Sequence, residues 1–204
     1  MDERIVLLGK GDLAVSIAEW LFYNSYTIDK VVPVIPEPDW CSSLAKWATK
    51  KGIEVVSSGD YKEAGSAIDI AISIFYEKII NQEFINRCGK IINLHNSPLP
   101  KYRGVRPINW ALKNNERKHG VTIHKITEGI DDGPIYGQIT YPIYPNTEEV
   151  EDVYHKSKWY GLQLFKEVFP RLHSITPYKQ NENEASYYSN KEVEKLGNRS
   201  DFKR

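Results

Sequence analysis

The sequence predicts an α/β fold, an open and mostly parallel twisted sheet with helices on both faces. Three observations point there. Short continuous apolar runs alternate with amphipathic helical patterns through the first hundred residues. The runs IDIAISIF (68–75) and KIINL (90–94) are predominantly apolar, as expected of strands in a parallel sheet covered on both faces. The first run turns through Gly9-Lys10-Gly11 directly into a helical pattern, as a strand-to-helix unit does.

In order, Arg4 to Leu8 reads as the first strand, and Leu13 to Tyr23 as a helix. Val31 to Ile35 is the second strand. Ser42 to Lys51 is a helix stopped by Gly52, and Ile53 to Val56 is the third strand. After the fourth strand, 68–75, Asn81 to Arg87 is a short helix leading into the fifth, 90–94. Pro107 opens a helix carried on by Ile108 to Leu112. Val121 to Ile126 and Ile135 to Ile143 read as strands around the turn-rich EGIDDGP. Asn146 is placed to cap a long helix on which Val150, Val153, Tyr154, Ser157, Gly161, Leu164, Phe165 and Val168 recur at helical spacing. Pro170 ends or kinks it. From Thr176 the chain is polar apart from Tyr187-Tyr188.

Composition narrows the function classes. The 204 residues hold 27 basic and 27 acidic side chains, so the broad positive field of a nucleic-acid binder is absent. No run approaches the roughly 18 apolar residues needed to cross a bilayer. The acidic start MDERIVLLGKGD is a poor leader and a good first strand. Cys41 and Cys88 match no metal or redox spacing and read as reduced thiols of a cytoplasmic protein.

Four stretches carry candidate chemistry. Gly9-Lys10-Gly11-Asp12-Leu13-Ala14 fits a loose dinucleotide-binding turn, with Glu37 or Asp39 as the acid for a ribose, and equally fits a plain tight turn. Asn93 and His95 end the fifth strand two residues apart, so an amide and an imidazole share one face at the carboxyl edge of the sheet. Glu128 to Gly133 is an acidic, glycine-bounded loop, which is a solvated turn or half of a metal site with His95 or His124; hard-cation loops use more regularly spaced oxygens, so no metal is expected. Arg103 and Arg106 are placed either to grip phosphate or as solvated loop charges.

INLHNSPLPKYRGVRPINWAL (92–112) followed by GVTIHKITEGIDDGPI resembles the 10-formyltetrahydrofolate-dependent formyltransferases. Asn93, His95, Ser97, Leu99, Pro100, Tyr102, Arg103, Gly104, Pro107, Trp110, Ala111, Asp131 and Gly133 match that family's pattern in order. The resemblance implies the Rossmann-like formyltransferase fold, a catalytic domain over 1–175 and a polar extension over 176–204, packed on the core or at a dimer interface. It implies catalytic Asn93, His95 and Asp131, the last chosen over Asp132 because it lies two residues before Gly133. Lys78, Ile79 and Ile80 would grip the folate on one side, and Thr127, Glu128, Gly129, Ile130 and Asp131 on the other.

Within the family, the chain looks most like the branch that formylates amines of nucleotide-linked deoxysugars, of the dTDP-4-amino-4,6-dideoxyglucose type, for surface polysaccharide. Arg103, Arg106, Tyr102 and Lys10 would then face the sugar nucleotide. Glycinamide ribonucleotide formyltransferase is the alternative; its first loop is a phosphate cradle, whereas here Asp12 would repel a phosphate. A tRNA acceptor fits less well, given zero net charge and only a few dozen residues after the long helix. Outside the family remain a dinucleotide-binding oxidoreductase and a silent ligand-binding domain. Tyr154, Trp159, Tyr160, Phe165 and Phe169 exceed what one buried helix face needs, a hint of a homodimer surface.

Overall fold

A computed structural model describes residues 3–196. Seven strands form one mostly parallel sheet, in the order β3 (Glu54–Val55), β2 (Thr27–Pro33), β1 (Arg4–Gly9), β4 (Ile68–Ile74), β5 (Cys88–His95), β7 (Lys118–Lys125) and β8 (Ile135–Pro142), and two short strands, β6 (Arg103–Gly104) and β9 (Tyr187–Tyr188), form another. The chain falls into two compact units. One runs up to Leu94 and includes Lys125–Glu128; the other is His95–His124 with the chain from Gly129 on.

In the first unit, β1 (Arg4–Gly9), β2 (Thr27–Pro33), β3 (Glu54–Val55), β4 (Ile68–Ile74) and β5 (Cys88–His95, which runs into the second unit) are parallel neighbours. Strand order reverses beside β1, which pairs β2 on one side and β4 on the other, the arrangement of a doubly wound sheet. Helices α1 (Gly11–Tyr23), α2 (Leu44–Lys51) and α3 (Gln82–Arg87) connect the strands. Ser43 and Asn81 cap α2 and α3 by accepting backbone N–H bonds, and Gly52 closes α2 in the left-handed region. Phe84 is fully buried with Tyr61, Ile68 and Ile91; burying such a side chain contributes about 1.5–3 kcal/mol. A Cβ on Gly9 would lie 2.3 Å from the Ile74 carbonyl, so only glycine lets β1 end this close to β4.

In the second unit, β7 (Lys118–Lys125) and β8 (Ile135–Pro142) are antiparallel, with Thr122 opposite Gln138. Helix α4 (Pro107–Lys113) starts on its proline as expected. Helix α5 (Val150–Val168) buries Val153, Ser157, Gly161, Leu164, Phe165 and Val168, the expected stripe without Val150 and Tyr154. Two short strands, β6 (Arg103–Gly104) and β9 (Tyr187–Tyr188), pair in parallel and were not foreseen.

Several details differ from the sequence reading. The second strand begins at Thr27 and ends at Pro33, because Asp29 and Lys30 are half-buried strand positions that an apolar-run criterion passes over. Asn146 does not cap α5. Glu149 does, in a reciprocal box with Asp152, while Asn146 lies in an exposed turn. Of the surplus aromatics, Phe165 and Phe169 are buried and stacked, Tyr160 stacks on Tyr141 at 4.6 Å, and Trp159 stays 60% exposed.

Candidate active site

The carboxyl end of β5 and the segment after it are fixed by hydrogen bonds within the second unit. Thr122 Oγ1 donates to the Ser97 carbonyl at 2.7 Å and accepts from the Leu99 N–H at 3.2 Å. Gln138 Nε2 donates to the Leu99 carbonyl and to Thr122 Oγ1, both at 2.8 Å. Ser97 Oγ donates to the Lys101 carbonyl at 2.7 Å. The prolines therefore act together with a polar clasp from β7 and β8.

That clasp seats His95. Its Nε2 lies 3.0 Å from the Tyr102 carbonyl. A carbonyl only accepts, so Nε2 carries the hydrogen, and Nδ1 faces the Asp131 carboxylate at 3.4 Å. Asp131 has three further constraints. His124 Nε2 lies 3.4 Å from its Oδ1, the Gly104 N–H donates to its Oδ2 at 2.9 Å, and its backbone is left-handed at φ 52°. Burial pushes the Asp131 carboxyl up. The charge of His95, the hydrogen bond and charge of His124 and the Gly104 N–H pull it further down, well below the usual carboxylate range. Asp131 is thus a fixed anion between two imidazoles, whereas its neighbour Asp132 is exposed.

Sequence reasoning left His124 only as a metal option. The signal was a histidine ending the apolar alternation of VTIH, two residues beyond Thr122. It also missed His119, which is fully buried with Nε2 2.9 Å from the Asn96 carbonyl. Burial lowers the His119 pKa to about 4; the Asn96 bond opposes this and the His95 charge adds to it.

The other expected site residues are placed as follows. Asn93 is half-buried on β5 in register with Ser73 of β4. Tyr102 is buried, its hydroxyl donating to Glu116 at 2.8 Å, so it meets the site through its backbone carbonyl. The Arg103 guanidinium is buried and held by Gln180 and Glu182. Arg106 sits in the left-handed region at φ 54° before α4, with Nη1 buried and unpartnered among the described residues. Gly129 and Ile130 are exposed in the loop leading to Asp131.

In the first unit, Lys10 pairs with Glu77. Lys78 donates to the Gly59 carbonyl at 2.8 Å, Ile79 is 73% exposed, and Ile80 is packed in the core. Thr127 and Glu128 belong to the short segment that follows β7. Glu37, one of the two acids offered for a dinucleotide turn, instead accepts from the Leu44 N–H at 2.7 Å at the start of α2. Asp12 accepts from the Ser42 N–H at 3.0 Å. Of the two carboxylates foreseen for a ribose, Glu37 is therefore occupied by a helix end.

An imidazole backed by a largely shielded carboxylate at the carboxyl edge of a doubly wound sheet is equipped to move a proton beside a developing oxyanion. Residues 3–169 match the formyl transferase family, and the chain belongs to it. The curated relatives it matches include the methionyl-tRNA formyltransferase of Fervidobacterium nodosum, 31% identical over 201 residues, 90% of this chain and 62% of that protein. The chain thus spans less than two thirds of that relative's length. Among solved structures, it is similar to WlaRD, a sugar 3N-formyltransferase crystallised with dTDP and 5-N-formyltetrahydrofolate. That likeness has a TM-score of 0.87 at 28% identity and covers all of this chain and 77% of WlaRD. It is also similar to an N-formyltransferase from Helicobacter canadensis in complex with folinic acid and dTDP-3-aminofucose. There the TM-score is 0.86 at 28% identity, covering all of this chain and 78% of that one.

Proposed function

We propose that this protein transfers a formyl group from 10-formyltetrahydrofolate to the amine of a nucleotide-linked amino-deoxysugar. The observation that carries the reading is His95 Nδ1 facing a largely shielded Asp131 anion at the end of β5. The two sugar N-formyltransferase structures, matched over the whole chain, support the acceptor class.

In this mechanism the amine nitrogen attacks the formyl carbon, and the carbonyl electron pair moves to oxygen. The Asn93 amide stabilises that oxyanion. The Nε2 hydrogen is held by the Tyr102 carbonyl, so Nδ1 is the nitrogen left for proton traffic. The amine proton passes to Nδ1, directly or through a water held by Asp131, and the carboxylate stabilises the imidazolium. The intermediate collapses, the bond from carbon to N10 of the folate breaks, and that nitrogen takes the proton. The folate is assigned to Lys78–Ile80 and Thr127–Asp131. Of the cations assigned to the sugar nucleotide, Lys10 and Arg103 already have carboxylate partners, which leaves Arg106 as the pyrophosphate ligand.

The test is release of tetrahydrofolate with dTDP-4-amino-4,6-dideoxyglucose, its 3-amino isomer, glycinamide ribonucleotide and methionyl-tRNA as acceptors. Turnover is expected with an amino sugar. Asn93→Ala, His95→Ala and Asp131→Ala should each lower kcat about 100- to 1,000-fold. Folded variants with near-normal rates would remove the trio, and turnover with ribonucleotide or tRNA alone would reassign the acceptor.

A further inference from the structure

Gln180 lies in the polar stretch after α5, where the sequence shows no periodicity and no motif. Its side chain is nonetheless buried and fully used. Oε1 accepts from Arg103 Nε at 3.1 Å and Nη2 at 2.8 Å. Nε2 donates to the Asp131 carbonyl at 2.8 Å and to the Gly133 carbonyl at 2.8 Å. One amide therefore holds both ends of the turn that presents the Asp131 carboxylate, and joins it to the arginine beside Tyr102 and Gly104.

The surroundings make this a fixed support. Tyr178 exchanges backbone hydrogen bonds with Ile135, 2.8 Å in one direction and 3.0 Å in the other, which pins the chain two residues before Gln180. Glu182 clamps the Arg103 guanidinium through Nη1 at 2.9 Å and Nη2 at 2.7 Å. Ser186 Oγ accepts the Tyr102 N–H at 2.8 Å, and the Ser186 carbonyl accepts the Arg103 N–H at 2.9 Å. Tyr102 and Asp131 both occupy the left-handed region, at φ 62° and 52°, a conformation that side-chain-bearing residues hold only where the surroundings enforce it. The Tyr102 carbonyl and the Asp131 carboxylate are the two groups that hold His95.

We infer that Gln180, with Arg103 behind it, is a positioning residue that sets the Asp131 carboxylate against His95. The segment from Tyr178 to Tyr188 thereby becomes part of the catalytic apparatus. The inference deepens the formyl-transfer reading and rests on it for its kinetic consequence. The geometric consequence stands without it.

Two variants separate the two halves of the amide. Gln180→Met keeps the bulk and removes every hydrogen bond, while Arg103 keeps Glu182. Gln180→Glu keeps an acceptor for Arg103 and turns a carboxylate toward the Asp131 and Gly133 carbonyls. Misplacing a catalytic group by about 1 Å costs on the order of 100-fold. Both variants should therefore lose about 10- to 100-fold in kcat, with KM for folate and sugar changed about threefold or less. On an Asp131→Asn background Gln180→Met should lose about threefold or less, because the group it positions is already gone. The carboxyl 13C signal of Asp131, titrated without substrate, should move its midpoint up toward the ordinary carboxylate range in Gln180→Met. That readout stays informative if no acceptor is turned over, so a failed acceptor assignment and a failed positioning role are distinguished. A Gln180→Glu enzyme of wild-type kcat would overturn the inference, as would losses that multiply with Asp131→Asn or an unmoved Asp131 titration. If Gln180→Met does not fold, Gln180→Glu is read by the same kinetics and cycle.

Discussion

His119 is a histidine that the fold holds neutral. Its ring is buried edge-on to Tyr102 and Tyr141, with rings 6.3 and 6.0 Å away, and its folded pKa lies near 4 against about 6.5 for an exposed histidine. Because the folded value is depressed, the stability tied to the neutral ring is complete above about pH 6.5. It is lost as pH falls toward 4, where the unfolded chain binds the proton more readily. Between pH 7 and pH 5 this amounts to about 2 kcal/mol. His119→Gln keeps a donor for the Asn96 carbonyl and removes the titration. Urea midpoints at the two pH values should therefore fall less in the variant than in the wild type, and equal falls would refute the account. The other ionisable groups of the chain are common to both proteins, so the difference between the two falls reports His119.

The pairing of β6 with β9 carries the most consequence for the smallest length of chain. A Cβ on Gly104 would lie 2.2 Å from the Tyr188 carbonyl, and its φ of +91° is one that side chains resist. Gly104→Ala should therefore separate the two strands, loosen the Tyr188–Trp110 stack at 4.3 Å and shift the N–H that binds Asp131. We expect a loss of about 2 kcal/mol or more in thermal stability and a lower kcat. An alanine enzyme with wild-type melting and rate would mean that this pairing bears no weight. The same element shows where the sequence was legible. The parallel strands were readable because burial on both faces leaves predominantly apolar runs, and His95 because it sits at a strand end; Asp131 was separated from Asp132 only by the family resemblance. Ser186 and Tyr187-Tyr188 were marked only by a looser family resemblance of the segment 185–188, and neither their pairing nor Gln180 was readable. Their partners lie about eighty residues away, and two-residue strands carry no period. The cap of α5 was misplaced for a related reason. Glu149 and Asp152 act as an acidic capping box, and the better-known cap residue Asn146 stood nearby in a turn.

At the scale of the whole molecule, charge separates the two acceptors that the relatives bring forward. The chain balances 27 basic against 27 acidic residues, and at Lys10 and Arg103 the cation is matched by a carboxylate. A protein that neutralises six to ten phosphates of a nucleic acid loses about a thousand- to hundred-thousandfold in affinity between 50 and 200 mM salt. One that grips a single pyrophosphate through an arginine neutralises about two charges, and by the same counterion release loses about tenfold or less. Arg106, whose buried Nη1 has no hydrogen-bond partner among the described residues, fits the second case. The kcat/KM for the amino-sugar nucleotide should therefore fall about tenfold or less over that salt range. Arg106→Gln should raise KM for the nucleotide sugar and flatten the remaining salt dependence, because the charge that releases the counterion is gone. A steep salt dependence, with methionyl-tRNA as the acceptor turned over, would place the chain with its curated relatives in acceptor as well as in family. A rate indifferent to both salt and Arg106→Gln would move the pyrophosphate away from the start of α4.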